Sequence, residues 1–155
     1  MLRAGNQRKK FLGKLKSDAI RAICNKLDEK GRRYLCFCSF ISQADELGGE
    51  HSFTSKTPAS KDLLNKFNNH EINSLFVVGK LIEGQNLRDI ECGVIGQLGG
   101  TERITVQEIG RIIRSEKPVL YLPIFDGTKD EAFLQAVTYN IPANCIKHKN
   151  FNPNL

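Results

Sequence analysis

Residues 107–114 read Q-E-I-G-R-I-I-R. Gln107, Arg111 and Arg114 stand at i, i+4 and i+7, so at about 100° per residue they share one face of a helix. Val106, Ile109, Ile112 and Ile113 fall on the opposite face and would anchor it. Gly110 stands beside the polar stripe, where glycine costs about 1 kcal/mol relative to alanine. Close approach of a ligand or partner would explain it. Two guanidiniums in a row beside a small residue suit a polyphosphate, because the planar fork binds phosphate oxygens bidentately and offsets charge that develops during phosphoryl transfer. The same octet also reads as an ordinary amphipathic helix with a solvated basic face, and the residues alone leave both readings open.

Working outward, Thr105 is expected to cap this helix, and Pro118 to open a strand over Val119–Phe125. A last helix follows at about 128–138, where T-K-D-E-A-F-L (residues 128–134) reads as a capped start with acids in the first turn. Upstream, Ile90–Ile95 and Leu75–Val78 are short apolar strands. Ser60 is expected to cap a helix carrying Leu63, Leu64 and Phe67, a short strand is expected over 51–54, and Ser42–Leu47 starts a short helix ended by Gly48-Gly49. Tyr34–Phe40 suits a buried strand. Before it, Ser17 reads as the N-cap of a helix with Ala19, Ile20, Ile23, Cys24 and Leu27 at helical spacing, stopped by Gly31. Strands that are apolar on both faces and alternate with helices predict an α/β fold, a mostly parallel sheet with helices on both sides. The domain boundaries follow: a basic linker or arm over 1–16, the globular domain over 17–140, and a polar tail over 141–155.

The order of segments carries more than any one of them. The octet at 107–114 resembles motif VI of superfamily-two helicases, Q-x-x-G-R-x-x-R. V-V-G-K-L-I-E-G-Q-N-L (residues 77–87), directly after a strand, is similar to motif V, in which a strand runs into a loop with a glycine. C-F-C-S-F-I-S-Q-A-D-E-L (residues 36–47) resembles motif IV, a strand with a serine at its end and then a short helix. Motif order and context match over roughly residues 17–138. The resemblance is to the C-terminal RecA-like domain, motifs IV to VI, of DEAD/DEAH-like superfamily-two helicases, and it implies a RecA-like three-layer sandwich.

The resemblance also implies roles. Arg114 would be the arginine finger that reaches the γ-phosphate of ATP, with Arg111 sensing that phosphate and Gln107 supporting the cleft. Gly84 would let the motif V loop approach nucleotide and nucleic-acid backbone, with Glu83 and Asn86 orienting the loop. Ser39 would contact a nucleic-acid phosphate from its strand end. Two positions depart from the pattern. Val78 stands where many members have a phosphate-contacting threonine, so that contact must move, to Lys80 for example. Asn86 stands where many have aspartate. Each position also has a plain reading: Ser39 as a strand-end cap, Gly84 as a turn glycine, Lys80 as a solvated side chain.

A complete motor of this kind holds ATP and Mg2+ with a phosphate-cradling loop, G-x-x-x-x-G-K-[ST]. The sequence has none: Gly13-Lys14 and Gly79-Lys80 are its only Gly-Lys pairs, and neither has the upstream glycine or the following hydroxyl. Gly93-x-x-Gly96-x-x-Gly99 is not the dinucleotide fingerprint. The chain alone is therefore expected to hydrolyse no ATP and to act with an N-terminal RecA-like domain, in cis or in trans. Loss of the motor function, leaving a RecA-like binding or regulatory module, is the alternative; retention of both arginines on one face favours the motor. DNA is the preferred partner over RNA, because a Gln-led motif VI looks more like the DNA-translocase branch.

The remaining features set limits. The chain has 155 residues, 40% hydrophobic and 26% charged, enough for one domain with a sizeable core. No apolar run approaches the roughly 20 residues that span a bilayer, so no membrane partner and an intracellular location are expected. The five cysteines fit no zinc spacing, and no metal site is expected; buried reduced thiols are. The formal net charge is +6, and residues 1–16 hold Arg3, Arg8, Lys9, Lys10, Lys14 and Lys16 with no acid. Such an arm can contact phosphates or simply be solvated.

Overall fold

The computed structural model describes residues 2–58, 60–78, 84–96 and 115–152. Its elements run α1 (Leu2–Glu29), β1 (Tyr34–Cys38), α2 (Ile41–Gly48), β2 (Ser52–Phe53), α3 (Ser60–Asn68), β3 (Ser74–Val78), β4 (Cys92–Ile95), β5 (Val119–Tyr121) and α4 (Lys129–Thr138). Short 3-10 turns lie at Gly49–His51 and Ala143–Cys145. The strands form one sheet in the order β2-β3-β1-β4-β5, and every pairing is parallel.

Strand alternation divides the core into two layers. Tyr34, Cys36 and Cys38 of β1, Phe76 of β3, and Cys92 and Val94 of β4 pack with Ile20, Cys24 and Leu27 of α1 and Ala44 of α2. Leu35, Phe37, Leu75, Val77 and Ile95 point to the opposite face and pack with Phe67 of α3 and with Leu87 and Ile90; Leu134 and Val137 of α4 lie against the same cluster. Successive residues of a strand alternate faces, so a strand apolar throughout needs helices on both sides. The predicted α/β sandwich is the observed architecture.

The first helix corrects the sequence reading. It begins at Leu2 and runs through residues 2–16, and Ser17 lies inside it rather than at its N-cap. Leucine, arginine, lysine and glutamine are good helix formers, so the basic run continues the helix that the apolar spacing of Ile20, Cys24 and Leu27 starts. Ser17 donates its hydroxyl to the Gly13 carbonyl at 3.2 Å, the bond back to i−4 that a serine makes in mid-helix. The other end closes as predicted. Gly31 has φ of 60°, and Gly31 and Arg32 donate to the Asp28 and Leu27 carbonyls, both at 2.9 Å. This pair of bonds with a left-handed glycine is the Schellman stop.

The fifth strand is shorter than expected and ends at Tyr121 rather than Phe125. Pro123 has no N–H for a ladder, and the Phe125 N–H is given to Asp130 Oδ2 at 3.1 Å. Leu122 and Ile124 still pack against the core. β4 likewise begins at Cys92, not Ile90, because Asp89 takes a positive φ of 55° and turns the chain just before it. Cys24, Cys36, Cys38 and Cys92 are buried free thiols, whereas Cys145 is exposed. Hydrogen bonding to Cys24 and Cys38, together with burial, holds the Cys36 thiol well above the ordinary thiol range.

Candidate functional site

Because all five strands run the same way, they end at one edge of the sheet. β1 is the central strand. The chain leaves it toward β2 and β3 on one side, while β4 and β5 lie on the other. The reversal falls between β1 and β4, and ligands of open α/β sheets settle in the crevice beyond the strand ends at such a point. Ser39 and Gly96 stand there. Gly96 donates to the Phe37 carbonyl at 2.8 Å, and a methyl at Gly96 would lie 2.9 Å from that oxygen. Its lack of a side chain is thus a packing requirement of the two strand ends.

Ser39 is half-buried and built into a polar node. Its N–H donates to Gln43 Oε1 at 2.8 Å. Gln43, 1% exposed, donates Nε2 to the Gly13 carbonyl at 2.7 Å and to Ser17 Oγ at 3.0 Å. A methyl at Gly13 would lie 3.0 Å from Ser39 Oγ and from the Phe40 ring. One side chain of α2 therefore ties α1 to the end of β1. A buried amide with its donors and acceptor satisfied fixes geometry, and an unsatisfied one is costly.

A second fastening lies close by. Lys16 Nζ is 2.7 Å from Asp130 Oδ2, with both side chains almost fully buried. The contact is ionic: among the described residues the ammonium makes no hydrogen bond of good geometry, and it lies 5.8 Å over the Phe125 ring. Asp130 sits in the first turn of α4, where Thr128 Oγ1 accepts from the Asp130 N–H at 3.2 Å and Glu131 Oε1 accepts from Gly127 N–H at 2.6 Å. The predicted capped, acidic helix start is present, and it also receives α1.

The segment resembling motif V is held from the opposite edge. Gly84 is exposed with φ of 81°, and a methyl there would meet nothing within 4 Å. Its positive φ alone calls for glycine. The exposed Asn86 offers its carbonyl to Asn68 Nδ2 at 2.9 Å, and Arg88 N–H donates to Asn68 Oδ1 at 3.1 Å. Asn68 thus clamps this loop to the last turn of α3, toward the edge where the strands begin. The structure places Ser39 at the strand ends and Asn86 on the α3 side, and it does not bring the two together. Lys80, Glu83, Gln107, Arg111 and Arg114 lie outside the described residues.

Arg33 completes the clamp, and nothing in the sequence reading singled it out. It precedes β1 and is 6% exposed. Nε donates to the Asp89 carbonyl at 3.2 Å, Nη1 to Ile72 at 3.1 Å, and Nη2 to Phe67 at 2.7 Å and Arg88 at 3.1 Å. The guanidinium carbon lies 4.1 Å from the Phe67 ring centroid. Burial lowers its pKa, and Asp89 and Glu91 push it back up. One planar fork so joins the end of α3, the entry to β3 and the loop into β4. Only the basic turn Lys30-Gly31-Arg32-Arg33 marks it in the sequence, and that looks like a solvated surface turn.

A groove of about 240 Å³ opens between α1, α2 and β3, lined by Arg21, Asp28, His51, Ser74 and Phe76 among others. His51 Nδ1 and Ser74 Oγ are 2.8 Å apart in it. No helix among the described residues is long and apolar enough to cross a membrane.

Comparison with known proteins adds the fold family. No family model matches the chain, and no curated protein matches it by sequence. Solved structures do. The Hef helicase domain of Pyrococcus furiosus superposes with a TM-score of 0.57 at 20% identity, over 78% of this chain and 28% of that one. The E. coli DEAD-box protein SrmB, solved with the regulator of ribonuclease activity A, gives 0.61 at 15% identity over 81% and 79%. The S. cerevisiae Dbp5 C-terminal domain, solved with Gle1 and IP6, gives 0.61 at 15% identity over 84% and 82%. The chain spans little more than a quarter of the Hef chain it matches. It has the RecA-like fold found in the C-terminal domains of superfamily-two helicases.

Proposed function

We propose that the chain is the C-terminal motor domain of a superfamily-two helicase or translocase, acting on DNA in preference to RNA. It would complete an ATP site whose phosphate loop and Mg2+ ligands belong mainly to an N-terminal RecA-like half. The observation that carries the reading is the agreement of motif order with topology. β4 and β5 are parallel neighbours, and parallel neighbours are in general joined by a crossover of a dozen or more residues, usually a helix. The helix predicted from Q-E-I-G-R-I-I-R falls in that connection, and the serine of the motif IV segment stands at the switch point. In this reading Arg114 neutralises charge on the transferring phosphate, Arg111 and Gln107 hold the cleft, and the motif V loop with Lys80, Glu83, Gly84 and Asn86 follows the nucleic-acid backbone. Closure of the two halves would couple hydrolysis to stepping.

The test is ATP turnover by the chain with and without a phosphate-loop RecA-like half supplied in trans, in the presence of single-stranded DNA. The chain alone is expected to be inactive. The pair is expected to turn over ATP, and Arg114→Ala to reduce the rate by about 10³-fold or more, the scale of an arginine finger. Turnover by the pure chain that disappears in Arg114→Ala would refute the divided site. Unchanged turnover of the pair in Arg114→Ala would refute the arginine's role.

A further inference from the structure

Helix α1 is longer than the sheet it covers. It returns to β1 through the tight turn after Gly31, so it runs antiparallel to the strands. Gly13 sits level with Ser39 and Phe40 at the end of β1. Residues 2–12 therefore continue about 16 Å past the strand ends, at about 1.5 Å per residue. This is the edge at which the switch point opens. The projecting part is not a loose arm, because Gly13, Lys16 and Ser17 fasten its base to Gln43 and Asp130.

Its outer surface has two adjacent stripes. Phe11 and Leu15, one turn apart, are 63% and 50% exposed. At about 100° per residue they lie roughly opposite the inward face formed by Gly13, Ile20, Cys24 and Leu27. Lys10 and Lys14, also one turn apart and exposed, form the neighbouring stripe. The chain's whole formal excess of +6 matches the six lysines and arginines of residues 1–16, which hold no acid. Cations interleaved with an exposed ring fit a polyanion carrying flat apolar groups.

We propose that the projecting half of α1, together with the first turn of its base, is a single-stranded nucleic-acid contact, with Lys10 and Lys14 on backbone phosphates and Phe11 stacked on a base. It extends the strand-end surface at Ser39 and rests on the nucleic-acid-binding reading above. Each phosphate neutralised on a single strand contributes about 0.7 to the slope of log K against log salt, and base stacking on an aromatic is sequence-tolerant.

The experiment titrates the full chain with a labelled oligothymidylate over a range of KCl, checking helix content by circular dichroism. Lys10→Ala/Lys14→Ala is expected to reduce the salt slope by about 1.4. Phe11→Ala is expected to weaken binding about tenfold with the slope unchanged. Lys26→Ala, at the far end of α1, is expected to change neither. Binding by the parent chain that neither variant alters overturns the helix contact and leaves the motor reading standing. No binding by the parent chain even at low salt overturns both. Tighter binding to polyglutamate than to oligothymidylate overturns the nucleic-acid assignment in favour of an acidic protein partner.

Discussion

Replacing Arg33 by lysine is expected to destabilise the domain by about 3–5 kcal/mol, although the charge is kept. The magnitude comes from the geometry of the fork. Arg33 serves four backbone carbonyls, of Asp89, Ile72, Phe67 and Arg88, at 2.7–3.2 Å. They converge from three separate segments. An ammonium presents its donors from one point and lacks the planar spread of a guanidinium, so it cannot reach all four. Losing two bonds from a charged donor costs about 1.5–3 kcal/mol each, and carbonyls left buried add to this. The stacking on Phe67 is lost as well. Alanine should cost more, against a total stability of about 5–15 kcal/mol for a domain. The chain contains no tryptophan, so urea unfolding followed by far-ultraviolet circular dichroism suits it. Hydrogen exchange should localise the effect to residues 84–91, with α1 largely protected. A lysine variant within about 1 kcal/mol of the parent, with unchanged exchange in that loop, would refute the staple.

Two further substitutions test the buried polar groups. Lys16→Met should cost about 3–5 kcal/mol, since it leaves the Asp130 carboxylate buried without its counter-charge; a loss below about 1 kcal/mol in urea unfolding would show that the pair is not buried in solution. Tyr34→Phe should change stability by no more than about 1 kcal/mol at neutral pH, because among the described residues the buried Tyr34 hydroxyl makes no hydrogen bond of good geometry, Ser74 and Asp28 being weak partners at best. Burial raises the Tyr34 pKa above its ordinary 10.0. The unfolded chain therefore releases this proton first, and stability is intact below about pH 10 and falls above it. The phenylalanine variant should remove about 1.4 kcal/mol per pH unit from that alkaline slope, and an unchanged slope in urea unfolding between about pH 10 and 11 would contradict the assignment.

The parallel sheet was legible because its strands are apolar on both faces, a pattern that only a doubly covered sheet needs. The stop of α1 was legible too, since a glycine after the last apolar residue has one common use. The start of α1 was not. A serine before an apolar run caps a helix or bonds back inside one, and the local sequence is the same in both cases. The choice was made by contacts distant in the chain, from Gly13 and Ser17 to Gln43 and from Lys16 to Asp130. A basic run with few apolar residues looks solvated, and Lys10 and Lys14 are exposed; yet it remains helical because lysine, arginine and leucine allow it and the base is fastened. For the candidate site, Ser39 at a strand end and Gly84 in a loop were readable through the resemblance to motifs IV and V. Arg33 was not, because its value depends on four carbonyls that meet only after three segments have packed.

These fastenings divide the labour within the domain. At the edge where the strands begin, Arg33 and Asn68 hold the returning loop by its backbone, so the residues that follow Gly84 are fixed at their far end. At the edge where the strands end, Gln43 and the Lys16–Asp130 pair hold α1 against β1 and α4. The proposed role, gripping a polyanion and meeting another domain, would gain from parts that do not shift independently, because ordering them at the moment of binding would be subtracted from affinity. Apart from the exposed bonds of Asn68, both fastenings use buried or part-buried, long-range polar contacts rather than extra apolar area. That choice favours a single arrangement of the strand ends, since a slipped α1 would leave an amide and an ammonium unpaired in the core. The cost of such unpaired groups is what would turn a basic helix that could be solvated in many poses into one with a defined direction over the switch point.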